Sequence, residues 1–170
     1  MRIGLISDTH GLIREQALAF LWGCDRIIHA GDIGGPEILE ALNDIAPVTA
    51  VRGNNDQAAW AATLPETQQL PLGGMNAYVL HDLAELTIDP RAEGINLVIC
   101  GHSHKSVVQR QAGVLYINPG SAGPRRFNLP ITVAELIIKK NTMTPRIISL
   151  DVAPSARRRV RPTVCQHSFV

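Results

Sequence analysis

Two histidines separated by one residue, His102 and His104, follow the apolar run 97–100. In an extended segment, residues i and i+2 project to the same side, so both imidazoles can reach one metal ion. Asp8 and His10 repeat that spacing after another apolar run, 3–7. Three further polar clusters follow apolar runs in the same way: Gly31-Asp32, Gly53-Asn54-Asn55-Asp56 and His81-Asp82. Four of the six histidines fall in these clusters, beside Asp8, Asp32 and Asn54. Imidazole and carboxylate without thiolate suit divalent cations such as Mn, Fe, Ni or Zn. These ligands are too many for one tetrahedral site and suit two cations bridged by a carboxylate. Asp-x-His and Gly-Asp are individually common in turns, so the ordered set of five clusters carries the reading.

Five clusters can meet only if the elements before them end at one edge. In open α/β sheets, ligands gather at the carboxyl ends of the strands. The first third of the chain reads as strand 3–7, helix 13–22, strand 26–30, helix 36–42 and strand 48–52. Leu18, Leu21 and Trp22 stand at helical spacing, and Pro36 suits a first turn. This alternation predicts a parallel sheet with crossover helices. Later segments are short and strand-like: 66–72, 76–80, 97–100, 106–110, 114–117, 131–139 and 145–150. Gly73-Gly74 and Gly113 mark turns between them, and 84–94 fits either a short helix or a loop. The pattern predicts an α/β fold of two sheets packed face to face, with helices outside.

Bulk properties restrict the partners. The chain has 170 residues, 45% hydrophobic and 4% aromatic, so its core must rest on Ile, Leu, Val and Ala. A net charge of +1 gives no overall field toward nucleic acid or an acidic membrane. Three cysteines without a CxxC pair fit a reducing compartment. The N-terminus has no long apolar signal region, and no apolar run approaches the roughly 20 residues that span a bilayer. A cytoplasmic, unanchored protein is expected, with oligomeric state open. From Ala153 onward, two prolines and Arg157, Arg158, Arg159 and Arg161 suggest a solvated, mobile tail. The expected organisation is a domain over 1–151 and a tail over 152–170.

The order of motifs resembles the calcineurin-like metallophosphoesterase superfamily. At this length it is similar to the small bacterial and archaeal phosphodiesterase branch, which also contains the eukaryotic retromer subunit. The resemblance runs from Met1 to about Asp151, and Asn118-Pro119-Gly120-Ser121 matches a further family loop near the site. It implies a βαββ-type core of two packed mixed β-sheets flanked by helices. It places Asp8, His10 and His104 on one cation and Asn54, His81 and His102 on the other, with Asp32 bridging. The implied cofactors are two divalent ions, manganese foremost, with iron, nickel or zinc as alternatives. The implied chemistry is attack on phosphorus by hydroxide held between the cations. Arg52 and Asn55 are candidates to orient a small phosphoester substrate by hydrogen bonding.

Two departures refine that expectation. Many larger members have histidine where this chain has Asn55, which cannot donate a proton to a leaving group. Phosphodiesters with good leaving groups are therefore expected, ahead of phosphomonoesters. The family has glycine after the metal-binding histidine, where this chain has Asp82. Glycine there suggests positive φ or close backbone approach, and aspartate tolerates the left-handed region. The added negative charge makes His81 the ligand most open to perturbation. A non-catalytic scaffold of the same fold is the competing expectation. His29 reads as a hydrogen-bonded structural histidine or a support for Asp32, and Asp56 as a turn holder or a support for His10. Cys100 reads as a packed small residue, and Trp22 and Trp60 as core or interface residues.

Overall fold

In the computed structural model, which describes residues 1–126, 128–140 and 142–152, the first strand, β1 (Arg2–Ile6), is central to one sheet. Ile3, Leu5 and Ile6 are fully buried, as an apolar strand covered on both faces requires. β2 (Arg26–His29) pairs parallel with β1, and β3 (Val48–Ala50) pairs parallel with β2. The crossovers contain α1 (Glu15–Leu21) and α2 (Pro36–Asn43). Helix α1 starts two residues later than its apolar pattern suggests, because Arg14 is extended at its N-cap. Ala17 and Leu21, one helical repeat apart, form its buried face. Trp22 lies just beyond the helix at 72% exposure, so it is not a core residue. Trp60 does pack against the helical layer.

The second sheet contains β4 (Thr67–Leu72), β5 (Met75–Leu80), β6 (Leu97–Ile99), β7 (Val107–Gln111) and β8 (Val114–Asn118). Its order is β4-β5-β6-β8-β7, with β5, β6 and β8 parallel and an antiparallel strand at each edge. The chain then returns to the first sheet. There β9 (Thr132–Lys139) lies antiparallel to β1, and β10 (Thr142–Ser149) pairs with β9 at the edge. Both sheets are therefore mixed.

Three apolar layers hold this arrangement. Ile3, Leu5, Ile28, Val79, Leu97 and Ile117 meet between the sheets. Ile6, Leu21, Ile27, Ile38 and Leu42 join both α-helices to the outer face of the first sheet. Each fully buried Ile or Leu contributes about 1.5–3 kcal/mol, so the core has little need of aromatic rings. The outer face of the second sheet is covered differently. Leu83, Leu86 and Ile88 lie over it, from a 3-10 turn at Leu83–Glu85 and the loop that follows. Both α-helices thus flank one sheet, and the ambiguous segment 84–94 is mainly loop. Among the described residues, no helix is long and apolar enough to cross a membrane. The arginine-rich segment from residue 153, with Cys165 and His167, lies outside the described residues.

His29, at the end of β2, is fully buried, with Nε2 2.9 Å from Thr9 Oγ1. That hydroxyl donates to the Ile33 carbonyl at 2.8 Å, so it accepts from the His29 ring. Nδ1 is then the unprotonated nitrogen and has no hydrogen-bond partner. His29 supports the loop after β1 and makes no contact with Asp32 among its hydrogen bonds. Burial lowers its pKa to about 3. Between that value and the unfolded value near 6.5, the unfolded state binds the additional proton, so stability falls as pH falls. His29→Gln is expected to reduce this loss between pH 6 and pH 4 by about 1.4 kcal/mol per pH unit. Urea unfolding at the two pH values measures the difference, and equal pH slopes in both proteins would contradict it.

Candidate metal centre

Asp8, Asp32 and Asn54 follow β1, β2 and β3, while His81 and His102 follow β5 and β6. These strands are parallel within their sheets, so each sheet delivers its clusters from the same end. The backbone then does something the residue pattern does not announce. Asp8, His10, Asp32, His102 and His104 all have φ between 46° and 64°, in the left-handed region. Such conformations cost on the order of 1–3 kcal/mol each and persist where surrounding structure holds them. Here the segments after β1, β2 and β6 reverse at donor residues, whereas Asn54 and His81 are absent from the left-handed set.

The first group of donors is Asp8, His10 and His104. His104 Nε2 lies 3.2 Å from Asp8 Oδ1 and 3.3 Å from His10 Nε2. Two donors each about 2.1 Å from one cation stand about 3.0–3.4 Å apart at octahedral or tetrahedral angles. The third separation, His10 Nε2 to Asp8 Oδ1, is 4.0 Å. Asp8 Oδ1 is buried without a hydrogen-bond partner. Its other oxygen accepts from Ser7 Oγ at 2.7 Å and the His102 amide at 3.1 Å. Burial raises the Asp8 pKa to about 6, against the opposing effect of the Ser7 bond. Burial also lowers the pKa of His10, and that of His104 to about 4, leaving both rings with a lone pair to offer.

The second buried group joins Asp8, Asp32 and His81. His81 Nδ1 donates to the Ala30 carbonyl at 2.7 Å, which fixes the ring and leaves Nε2 facing inward. That nitrogen lies 3.4 Å from Asp32 Oδ2 and has no hydrogen-bond partner. Burial opposes a proton on His81, but Asp32, the Ala30 carbonyl and Asp8 together raise its pKa. Burial likewise opposes ionisation of Asp32, yet the adjacent His81 ring and the two hydrogen bonds from Asn55 hold its pKa well below the usual value. Asp32 Oδ2 is also 3.8 Å from His10 Nε2, so this carboxylate stands between the two groups.

Asn54 and His102 lie outside these buried groups, at the open side. His102 Nδ1 is 3.1 Å from Asn54 Oδ1, another separation suited to two donors on one cation. The His102 ring packs edge-on against His81 with centroids 5.2 Å apart. Its outer nitrogen, Nε2, faces Asp82 Oδ2 at 3.5 Å. Asp82 is extended at φ −101°, not left-handed, and caps the following 3-10 turn through a bond from Ala84 N. Its charge is therefore directed at the solvent side of His102 while His81 remains held by Ala30. A carboxylate on the outer nitrogen of a histidine helps to orient the ring.

The remaining candidates have other partners. Asn55 donates to Asp32 through its backbone N at 2.9 Å and its side-chain amide at 2.6 Å, so it fastens that carboxylate. Arg52 pairs with Glu66 beside a cleft of about 280 Å³ that also borders Asn54, His81, Asp82 and His102. Asp56 accepts from the amides of Ile33, Gly34 and Gly53, tying the loops after β2 and β3 rather than supporting His10. Cys100 is buried and its thiol is pushed up to about 12 by burial, consistent with a packed residue.

Several supporting residues escape a reading based on donor types. Ser7 fixes Asp8, while Asn118 holds the loop of His102 by donating to the Gly101 carbonyl and Ser103 Oγ. A Cβ at Gly53 would overlap Asp32 Oδ1 and the Asp32 backbone N. The Gly-Asn pattern marks that position only as a turn. Arg126 places Nη2 3.4 Å from His10 Nε2, and no motif identified it.

The donor chemistry fits divalent cations: unpartnered Asp8 Oδ1 and His81 Nε2 face a cluster of oxygen and nitrogen donors at ligand-pair separations. Known proteins agree with that reading. Among curated relatives, a probable metallophosphoesterase of Methanocaldococcus jannaschii is 34% identical over 134 residues, 71% of this chain and 68% of the relative. An archaeal phosphodiesterase of solved structure has a similar fold, at TM-score 0.74 and 21% identity, covering 87% of this chain and all of that one. The wild-type Vps29 of Entamoeba histolytica, solved in complex with zinc, shares the fold at TM-score 0.70 and 22% identity, covering 88% and 99%. Residues 1–141 match the calcineurin-like phosphoesterase superfamily domain, and with the donor cluster at its strand ends the chain belongs to that superfamily.

Proposed function

We propose that the protein is a phosphodiesterase that uses two divalent cations held by seven residues. Asp8, His10 and His104 would hold one cation, Asn54, His81 and His102 the other, and Asp32 both. The observation that carries this reading is the placement of Asp32 between His10 and His81, with their inward nitrogens 3.8 and 3.4 Å from one carboxylate oxygen. Two such cations supply Lewis acidity toward a phosphoryl oxygen and lower the pKa of bound water to make a nucleophile at neutral pH.

The chain's own residues prepare the site. Asn55 and His81 keep Asp32 ionised, and Ser7 with the His102 amide fixes Asp8. Residue 55 carries an amide that cannot protonate a leaving oxygen, so the reaction is best with alcohols that leave as anions. That chemistry supports diesters over monoesters, and the similar fold of an archaeal phosphodiesterase supports the same choice. Manganese is the ion we expect to activate best, since carboxylate and imidazole donors without thiolate suit it. The test is hydrolysis of bis-p-nitrophenyl phosphate and p-nitrophenyl phosphate with added Mn, Fe, Ni, Zn or Mg. Metal-dependent turnover favouring the diester is expected, and no turnover with any ion would overturn the reading.

The similarity to Vps29 raises a second reading, an interaction scaffold of the same fold. A partner complex that survives chelation, together with no phosphoester hydrolysis, would favour it.

Cation binding must displace protons. Asp8 titrates near 6 and His81 above its ordinary value, and a cation requires both deprotonated. Manganese affinity is therefore expected to rise from pH 5.5 to 7.5, by about tenfold per pH unit for each proton displaced. Calorimetry in buffers of different ionisation enthalpy measures the protons released, and a pH-independent affinity with no release would contradict the assignment.

A further inference from the structure

Arg126 sits in the loop between β8 and β9, and that loop is fastened to the backbone of the first donor. Ser121 Oγ and Gly123 N both donate to the Asp8 carbonyl, at 3.0 and 3.2 Å. Ala122 N donates to the Ser7 carbonyl at 3.1 Å, and Arg14 Nη2 donates to the Gly123 carbonyl at 3.0 Å. A Cβ at Gly123 would overlap the carbonyls of Asp8 and Thr9, so the loop approaches as closely as backbone allows. Three residues further on, Arg126 is solvent-exposed and directs Nη2 at His10 Nε2, 3.4 Å away. Among the described residues, no carboxylate lies within ion-pair distance of Arg126.

That contact conflicts with cation binding. An imidazole nitrogen has one in-plane lone pair, so His10 Nε2 cannot serve both a guanidinium N–H and a metal ion. Guanidinium stays protonated at any working pH. With the lone pair committed to a cation, Arg126 loses its protein acceptor and stands beside a centre of its own sign. An anion placed between guanidinium and cation resolves both problems. The planar fork of arginine suits two oxygens of a phosphoryl group. Arg52, singled out by its sequence position, is differently placed, because Glu66 already neutralises it at the cleft on the side of Asn54 and His102.

We infer that Arg126 binds the non-bridging oxygens of the phosphoester substrate, making it the substrate-binding arginine on the His10 side of the site. The inference rests on the phosphodiesterase reading above. It also gives the loop after β8 a function, since its bonds to Ser7 and Asp8 hold the anion-binding group in register with the first donors. Arginine suits this role better than lysine, which offers a point charge without the paired donors.

The test uses manganese-loaded wild-type protein and the variants Arg126→Ala, Arg126→Lys and Arg125→Ala. The readouts are KM and kcat for bis-p-nitrophenyl phosphate, calorimetric affinity for inorganic phosphate, and metal content by elemental analysis. Arg126→Ala is expected to raise KM about tenfold or more and weaken phosphate binding by a similar factor. Metal content should remain that of wild type, Arg126→Lys should fall between, and Arg125→Ala should stay within about twofold of wild type, since its neighbouring charge lacks this position. Unchanged KM and phosphate affinity in Arg126→Ala, with an active wild type, would overturn the inference and leave the phosphodiesterase reading intact. Loss of bound metal in Arg126→Ala in proportion to its loss of phosphate affinity would also overturn it, showing that Arg126 supports His10 instead. A wild type that neither hydrolyses the diester nor binds phosphate would overturn the underlying reading itself.

Discussion

Asp32→Ala is expected to lower kcat for bis-p-nitrophenyl phosphate by about a thousandfold or more, equivalent to at least about 4 kcal/mol of transition-state stabilisation. The residue is 2% exposed, and its carboxylate faces His10 on one side and His81 on the other. Alanine removes a donor from both cation positions, so the variant should also retain less manganese. Its remaining partner is Asn55, whose backbone N and side-chain amide would lose their acceptors. Some loss of stability is therefore expected with the loss of activity. Asp32→Asn separates the two effects, because it keeps the shape while removing the charge. Both variants should show the far-ultraviolet circular dichroism of wild type. Near-wild-type turnover in either folded variant would mean that Asp32 is not the shared ligand.

The second large effect is expected where no donor is changed. Gly53→Ala places a methyl group against Asp32 Oδ1 and the Asp32 backbone N. Backbone cannot yield as the end of a flexible side chain can, so the loops after β2 and β3 must separate. The same loops share the Asp56 carboxylate, which accepts from Gly53, Ile33 and Gly34. Overpacking of this kind costs about 1–3 kcal/mol of stability. The functional cost should be greater, because a displacement near 1 Å at a reacting centre can reduce rate by about a hundredfold. Gly53→Ala should therefore remain folded, with a lowered melting temperature, weaker manganese binding and kcat reduced about a hundredfold. Wild-type manganese affinity and turnover would show that the loops accommodate the methyl group without moving Asp32.

The architecture was legible where local pattern determines it. Segments 3–7, 26–30 and 97–100 are mostly apolar, as strands buried on both faces require, and each is followed by its polar cluster. The place of β9 beside β1 was not legible, because it depends on pairing between residues more than a hundred positions apart, such as Ile3 with Leu136. The apolar pattern around Trp22 was misleading for a related reason. Periodicity marks a helix, but tertiary packing selected Ala17 and Leu21 as its buried face and left the indole outside.

At the site, residue types and spacing pointed to the candidate donors, while their support required coordinates. Positive φ was considered at position 82 because of the family glycine, yet it occurs at Asp8, His10, Asp32, His102 and His104. Aspartate and histidine tolerate a left-handed backbone but mark it far less than glycine does. Asp82 turned out to face the outer nitrogen of His102, so the charge expected to disturb His81 has a different neighbour. Asn55 was expected to orient substrate phosphate by hydrogen bonding and to be unable to act as an acid. Its two bonds to Asp32 assign it a positioning role that depends on where its side chain points. Arg126 stands more than a hundred residues from His10 and belongs to no recognisable spacing, so only the folded chain brings them together.

The most direct measurement is a crystal structure of manganese-soaked protein with data collected for anomalous scattering from the metal. Two peaks are expected on either side of the Asp32 carboxylate, one among Asp8, His10 and His104, the other among Asn54, His81 and His102. A single peak, or none within reach of Asp32, would contradict the two-cation site.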